Sequence, residues 1–151
     1  MKNYKNIVFI ISLISSPLLM AESLSINSIH SCLALVDFVN SKVNGANDTY
    51  SSSEKELIHK GLSGYSEYLD KDVINPKLLK LYGGNASQAK LMKKLFSRQQ
   101  GTFTQYLDDR YSEKKLLTDY TVGIQECSVK TGSRGDVALA LKKAINTMAK
   151  K

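Results

Sequence analysis

Cysteine and histidine, which most often hold transition metals in proteins, are scarce in this chain. Its 151 residues include two cysteines, Cys32 and Cys127, and two histidines, His30 and His59. The sequence has no Cys-x-x-Cys motif, and the histidines do not form an i, i+4 pair, so we expect neither a zinc site nor a redox-active dithiol. Covalent haem attachment also lacks its Cys-x-x-Cys-His motif. We therefore expect no metal and no cofactor.

Strict alternation of apolar and polar residues, which would predict β-strands, is absent as well. Apolar residues instead recur at three- and four-residue spacing, which is typical of one face of an α-helix. Beyond the N-terminus, no apolar run reaches the 20 or so residues needed to span a bilayer. We predict an all-α fold of four or five helices arranged as a bundle with one disulfide.

The N-terminal residues 1–21 have the pattern of a cleaved secretory signal peptide. Lys2 and Lys5 precede an apolar run at residues 7–14, and the segment ends at the small residue Ala21. Serines and a proline interrupt the run before it is long enough for a membrane anchor. We expect cleavage after Ala21 and a periplasmic or secreted protein, exported by a bacterial Sec-type route.

The remaining residues 22–151 are a typical length for one helical domain. Because Lys2 and Lys5 leave with the signal, this part carries 19 basic and 14 acidic side chains. A mild positive charge favours solubility and acidic partners, such as an acidic protein or anionic head groups. No recognised nucleic-acid-binding motif is present, and we expect no nucleic-acid partner. The oligomeric state does not follow from the sequence.

Capping residues, prolines and glycines indicate where each helix begins and ends. The first helix is predicted over residues 24–43, capped by Ser23 or Ser25. A second begins at a capping box of Ser53 and Glu56 and ends before Asn75, because the following proline disfavours helical geometry there. A short turn then follows and closes at two glycines, residues 83 and 84.

The rest of the chain is predicted to form two longer helices and a final helix. Asn85 or Ser87 starts a helix that contains Gly101, where we expect a bend or a close helix contact. A break is predicted at residues 108–113, because an unbroken helix over residues 86–129 would be about 65 Å long. The last helix is predicted to be capped by Asp136.

The two cysteines are predicted to form a structural disulfide. Cys32 lies in the first predicted helix and Cys127 near the end of the helix before last, in a compartment where disulfides persist. The chain-entropy model assigns such a closed loop roughly 4 to 5 kcal/mol of stabilisation.

No arrangement of side chains predicts a catalytic site. Asp108, Asp109 and Glu113 form an acidic cluster, but at a predicted helix break they fit a cap or a solvated loop better than an acid–base pair. The histidines have no defined catalytic partner, and we expect them to be surface or hydrogen-bonded residues. An enzymatic function is therefore less well supported by the sequence than a binding function.

Two surface features are candidates for contact with a partner. Most tyrosines keep helical register with apolar neighbours, but Tyr50 and Tyr111 do not, and a tyrosine ring with a polar end suits a binding surface. The last helix is amphipathic and basic, which allows contact with an anionic membrane surface, although such a helix more often packs on its own domain. Its basic residues are Lys142, Lys143, Lys150 and Lys151.

No residue motif identifies a family. In architecture alone the chain resembles small helical periplasmic proteins with one disulfide, among them immunity proteins that neutralise toxins delivered into the envelope. That resemblance implies a non-enzymatic binding protein that acts as an immunity or inhibitor protein. The alternative is a helical carrier of a small molecule or lipid, and a further alternative is an envelope enzyme of unknown reaction.

Overall fold

The computed structural model describes residues 24–46, 49–111 and 116–150, with the main chain alone at 116–119, and this part of the chain is helical without a strand. A π-helical turn, Leu69–Ile74, joins the second and third of its α-helices without a break. The α-helices are α1 (Ile26–Gly45), α2 (Ser52–Tyr68), α3 (Asn75–Leu81), α4 (Ala86–Asp109), α5 (Leu116–Thr131) and α6 (Gly135–Met148). The described helices therefore form five continuous rods, and the prediction of an all-helical fold is confirmed.

The predicted signal segment, residues 1–21, lies outside the described residues. Within the described ranges, no helix combines the length and the apolar composition that crossing a bilayer requires.

Helix α1 lies at the centre of the fold because apolar side chains cover more than one of its sides. It packs against α2, α4 and α5. Burial of each large apolar side chain contributes about 1.5–3 kcal/mol. The buried apolar residues of α1 are Ile29, Cys32, Leu33, Ala34, Val36, Phe38, Val39 and Val43. Because α4 contacts mainly α1 and α3, it forms one flank of the molecule.

The predicted stop before Asn75 is wrong, because the π-helical turn carries the helix past the proline. The N–H of Asn75 donates to the carbonyl of Asp70, five residues earlier. Pro76 then lies in the first turn of α3, and because it has no N–H it cannot continue the hydrogen bonds of the π-helical turn beyond Asn75. The wider turn also leaves room for the proline ring that an α-helical turn would not. Gly83 and Gly84 close α3 with positive φ angles of 58° and 84°, as predicted.

Helices α2 and α6 approach each other closely at Gly61. A Cβ atom at this position would lie 2.6 Å from the carbonyl oxygen of Ala140 and 2.6 Å from the Cβ of Ala144. Only glycine fits here, so Gly61 sets the distance between the two helices. Gly101, for which a bend or a close contact was expected, has no neighbouring atom within 4 Å of an added Cβ, so the close-contact alternative is wrong.

Two predicted caps are displaced by a few residues. Helix α2 begins with a capping box of Ser51 and Glu54, not of Ser53 and Glu56. Both pairs fit the same sequence pattern, and the earlier pair gives a longer helix directly after the buried Tyr50. At α6 the N-cap is Arg134, and Asp136 lies in the first helical turn, where its charge favours the helix dipole. The predicted caps Ser25 and Asn85 are confirmed.

The disulfide joins the central helix to α5. Cys32 and Cys127 are bonded, with 5.7 Å between their Cα atoms, so the predicted pairing is confirmed. Four residues after Cys127, the Thr131 hydroxyl hydrogen-bonds the Tyr65 hydroxyl at 2.8 Å, and the Thr131 carbonyl accepts from the Tyr68 hydroxyl at 3.0 Å. Burial raises the pKa of Tyr65 to about 12, so this hydroxyl stays protonated. The end of α5 is thus held by α1 and α2 together.

Candidate functional site

Tyr50 does not lie at the surface, which corrects the expectation that it contacts a partner. Its side chain is 3% exposed, and its hydroxyl donates to the carbonyl oxygen of Met148 at the end of α6 at 3.3 Å. Burial raises the pKa of Tyr50. Although Tyr50 lies in a loop, its ring fills the space between that loop and α6. Its role in the described fold is structural.

Tyr111 lies at the end of α4, half-buried. Its ring meets Phe38 edge-on at 5.6 Å, and the Lys42 ammonium lies over the Tyr111 ring, 4.7 Å from the centroid. Lys42 also pairs with Asp108, a member of the predicted acidic cluster. Glu113, another member, lies outside the described residues. Tyr111 and Asp108 therefore share one cation that links α1 to the end of α4.

The last helix turns its apolar side toward its own domain. Leu141 and Met148 are buried, and Val137 and Ile145 are packed against the core. Lys142, Lys143 and Lys150 are exposed, while Lys151 lies outside the described residues. Most apolar side chains of α6 that membrane insertion would use are thus covered by the domain, and Leu139 is the exposed exception.

The two histidines have opposite environments. His59 bridges α2 and α1, with its ring nitrogens 2.6 Å from Asn40 Oδ1 and 2.7 Å from Asn44 Oδ1. His30 is 4% exposed, and neither ring nitrogen has a hydrogen-bond partner among the described residues. The expectation of a surface or hydrogen-bonded side chain therefore holds for His59, whereas His30 is not a surface residue.

The His30 ring lies between α1 and α4. It stacks on Phe96 with 5.0 Å between ring centroids. Burial lowers the pKa of His30, and the nearby Gln100 side chain and the charge of Asp70 only partly offset this effect. His30 is therefore a neutral imidazole near pH 7, with one donor and one acceptor nitrogen.

A small pocket adjoins His30 at the α1–α4 contact. Its volume is about 80 Å³, and it is lined by Asn27, His30, Ser31, Gln99, Gln100 and Phe103. We call it the α1–α4 pocket. Five of these six residues are polar, and none is a carboxylate, lysine or arginine, so no formal charge lines the pocket.

A polar network supports the inner side of this pocket. Asp37 accepts from the Ser66 hydroxyl at 2.7 Å and from Gln100 Nε2 at 2.9 Å. Burial raises the pKa of Asp37 despite these two donors. Asp70, in the π-helical turn, pairs with Lys93 of α4 at 2.7 Å. π-Helical turns are frequent at functional sites, and this one brings Asp70 to α4.

The outer side of α4 carries several exposed cations. No aspartate or glutamate occurs at residues 73–107. Leu91 and Leu95 are 59% and 43% exposed, and exposed cations stand beside them on two to three turns of the helix. We call this surface the basic ridge, and its residues are Lys90, Leu91, Lys94, Leu95 and Arg98. None of its cations forms an ion pair with a described carboxylate.

A wider groove lies between α2 and α6, with a volume of about 510 Å³. Its apolar walls are Leu57 and Leu139. Two cations and two carboxylates line it, Lys60, Lys143, Glu56 and Asp136. Because these charges cancel, the groove favours neither an acidic nor a basic partner.

Among the described residues, no group of three or more histidine, cysteine, aspartate or glutamate side chains is arranged to hold a metal ion. No protein-family model, curated protein sequence or solved structure matches this chain.

Sequence reasoning missed both the α1–α4 pocket and the basic ridge. The ridge has a readable signal, since Lys90, Lys94 and Arg98 recur every four residues in a stretch without acidic residues. His30 also has a weak signal, because it shares one helix face with Ala34 and Asp37 at i+4 and i+7. The burial of Tyr50 has no signal in the neighbouring sequence, because it depends on the distant α6.

Proposed function

We propose that this protein is an exported, non-enzymatic binding protein of the bacterial envelope whose basic ridge docks on an acidic cleft of a partner protein. In its most concrete form, the partner is an envelope-acting toxin and the protein is its immunity or inhibitor protein. The observation that carries the proposal is the basic ridge on a helix that packs on one side only.

The shape and chemistry of the ridge favour a cleft over a flat surface. An exposed helix that presents leucines four residues apart suits helix-in-groove recognition. Leu91 and Leu95 have this spacing, and both are more exposed than core leucines. Lys90, Lys94 and Arg98 would steer the ridge toward negative charge and fix its register.

Export is supported by the sequence of residues 1–21 and by the disulfide. Both cysteines of the chain are used in one bond between α1 and α5. Disulfides of this structural kind form and persist in oxidising compartments and are rare in the cytosol. An envelope location also suits the resemblance to small helical periplasmic proteins.

Export is tested by expressing the full chain in a Gram-negative host and measuring the intact mass of the protein in the periplasmic fraction. We expect a species that begins at Glu22 and carries one disulfide. A protein that keeps residues 1–21 and stays in the cytosol would contradict the proposed location.

Partner binding is tested with an envelope-acting toxin encoded beside this gene. We expect the full chain to protect cells from the toxin and to bind it in vitro. The double variant Lys94→Glu, Arg98→Glu should slow association by on the order of tenfold or more and reduce protection. The matched control is Lys142→Glu, Lys143→Glu, which makes the same charge change on α6.

Two results would overturn the proposal. If neither binding nor protection occurs with the neighbouring toxin, the inhibitor function is wrong. If the two double variants lose affinity equally, only net charge matters, and the basic ridge is not the docking surface.

A further inference from the structure

The groove between α2 and α6 presents the same three kinds of side chain from both of its helices. Each helix supplies one carboxylate, one leucine and one lysine. Those of α2 are Glu56, Leu57 and Lys60, and those of α6 are Asp136, Leu139 and Lys143. All six residues are exposed, so their side chains are available to a molecule that enters the groove.

Small residues line the groove between these side chains. Gly61 and Ala140 do so at the point where α2 and α6 approach each other most closely around Gly61. The resulting volume of about 510 Å³ can receive side chains that protrude from another helix, which is how helices pack ridge into groove. Leu57 and Leu139 are 39% and 58% exposed, and their burial would give an interface its apolar centre.

The four charged side chains of the groove are not used within the fold. The ion pairs found among the described residues join other side chains. Two of the groove charges are positive and two are negative, and each helix carries one of each sign. An acidic partner would bring like charge against the carboxylates, and a basic partner would bring like charge against the lysines. A partner that carries both signs fits the groove best.

A second copy of this chain has the required pattern. In a dimer with a two-fold axis the same surface faces itself, so every contact occurs twice with the roles exchanged. A carboxylate of one protomer that faces a lysine of its partner therefore implies the reciprocal ion pair. On α2, Glu56 and Lys60 are one helical turn apart, so two antiparallel copies of this helix can form both pairs.

We propose that the protein forms a two-fold symmetric dimer in which the α2–α6 groove of one protomer packs on the same groove of its partner. The leucines lie at the centre of this interface, and carboxylate–lysine pairs surround them. None of the residues of the basic ridge lines the groove, so the dimer leaves the ridge free. The inference does not rest on the proposed function.

Two charge variants of the groove test the proposal by complementation. The acidic-groove variant is Lys60→Glu, Lys143→Glu, and the basic-groove variant is Glu56→Lys, Asp136→Lys. We expect the parent to sediment as a dimer in analytical ultracentrifugation. Each variant alone should have a dimer dissociation constant raised on the order of tenfold or more, because all its groove charges have one sign. An equimolar mixture of the two should form a mixed dimer.

The matched control separates the groove from net charge. Lys94→Glu, Arg98→Glu makes the same charge change as the acidic-groove variant, but on α4. We expect this control to remain a dimer by itself. When the basic-groove variant carries a fluorescent label, it should sediment as a mixed dimer with the acidic-groove variant and not with the control.

A substitution of the apolar centre gives an independent readout. Because Leu139 is exposed, Leu139→Ser leaves the core of the protomer intact. We expect it to keep the helical circular dichroism spectrum of the parent and to weaken the dimer on the order of tenfold or more.

Three outcomes would overturn the proposal. The parent could sediment as a monomer at every protein concentration. A lipid found in the purified monomer by native mass spectrometry would then assign the groove to a small amphipathic molecule. If the two groove variants fold but form no mixed dimer, charge pairing across the groove is wrong. A parent dimer that withstands Leu139→Ser and both charge variants uses another surface.

Discussion

Because of His30, the stability of this protein should decrease as the pH falls into the mildly acidic range. Because its folded-state pKa is lowered below the ordinary 6.5, the unfolded chain takes up a proton first as the pH falls. The free energy of unfolding should therefore decrease below about pH 6.5, with a slope of at most ~1.4 kcal/mol per pH unit from this group. Asp37 has the opposite effect at lower pH, because its folded-state pKa is raised.

The His30→Leu variant isolates this effect from all other titrating groups. We expect it to be as stable as the parent or more stable at pH 7, because an unpaired polar group is removed, and to lose much of the decrease between about pH 7 and pH 5. Urea denaturation at several pH values measures both. Parallel pH profiles for parent and variant would contradict the burial of a neutral His30.

Gly61 is a residue at which one added methyl group should destabilise the fold. An added methyl group would overlap the backbone of Ala140 and the side chain of Ala144, so α2 and α6 would have to separate. We expect Gly61→Ala to destabilise the protein by about 1–3 kcal/mol. The control is Gly64→Ala on the same helix, where no atom is near an added Cβ and a gain of helix propensity is expected.

At the scale of one element, the start of α2 can be tested by two serine substitutions. The Ser51 hydroxyl accepts from the Glu54 N–H at 3.3 Å, and the Glu54 carboxylate accepts from the Ser51 N–H at 2.8 Å. Ser51→Ala should cost about 1 kcal/mol of stability. Ser53→Ala, at the alternative box, should change stability by less than ~0.5 kcal/mol. If thermal unfolding shows that Ser53→Ala destabilises the protein more than Ser51→Ala, then Ser53 and not Ser51 is the N-cap of α2.

Element by element, the sequence predicted what depends on spacing and failed where distant contacts decide. The faces of the helices and the break after Asp109 follow from periodicity and length. The continuity of α2 and α3 does not, because the π-helical turn has no local signature here. Asp70 within this turn pairs with Lys93 of α4, which is far from it in sequence. The burial of His30 and Tyr50 likewise depends on α4 and α6, which no local pattern reveals.

For the molecule as a whole, the disulfide is the largest single stabilising link. Cys32 and Cys127 are 95 residues apart, and the chain-entropy model gives roughly 4 to 5 kcal/mol for such a loop. Reduction should lower the Tm by on the order of 10 °C. Calorimetry with and without reductant measures this shift, and the double variant Cys32→Ala, Cys127→Ala serves as the control, since reductant should not affect it. An unchanged Tm of the parent would contradict a stabilising role.

The bonds that join early and late parts of the described chain also impose an order on its folding. Tyr50, before α2, bonds the main chain of Met148, and Gly61 of α2 packs on α6. Helices α1 and α2 can pack on each other early, but α2 lacks part of its packing until α6 arrives. Such long-range closure is slower than the pairing of neighbouring helices. A folding intermediate in which α6 is still free thus exposes one side of α2.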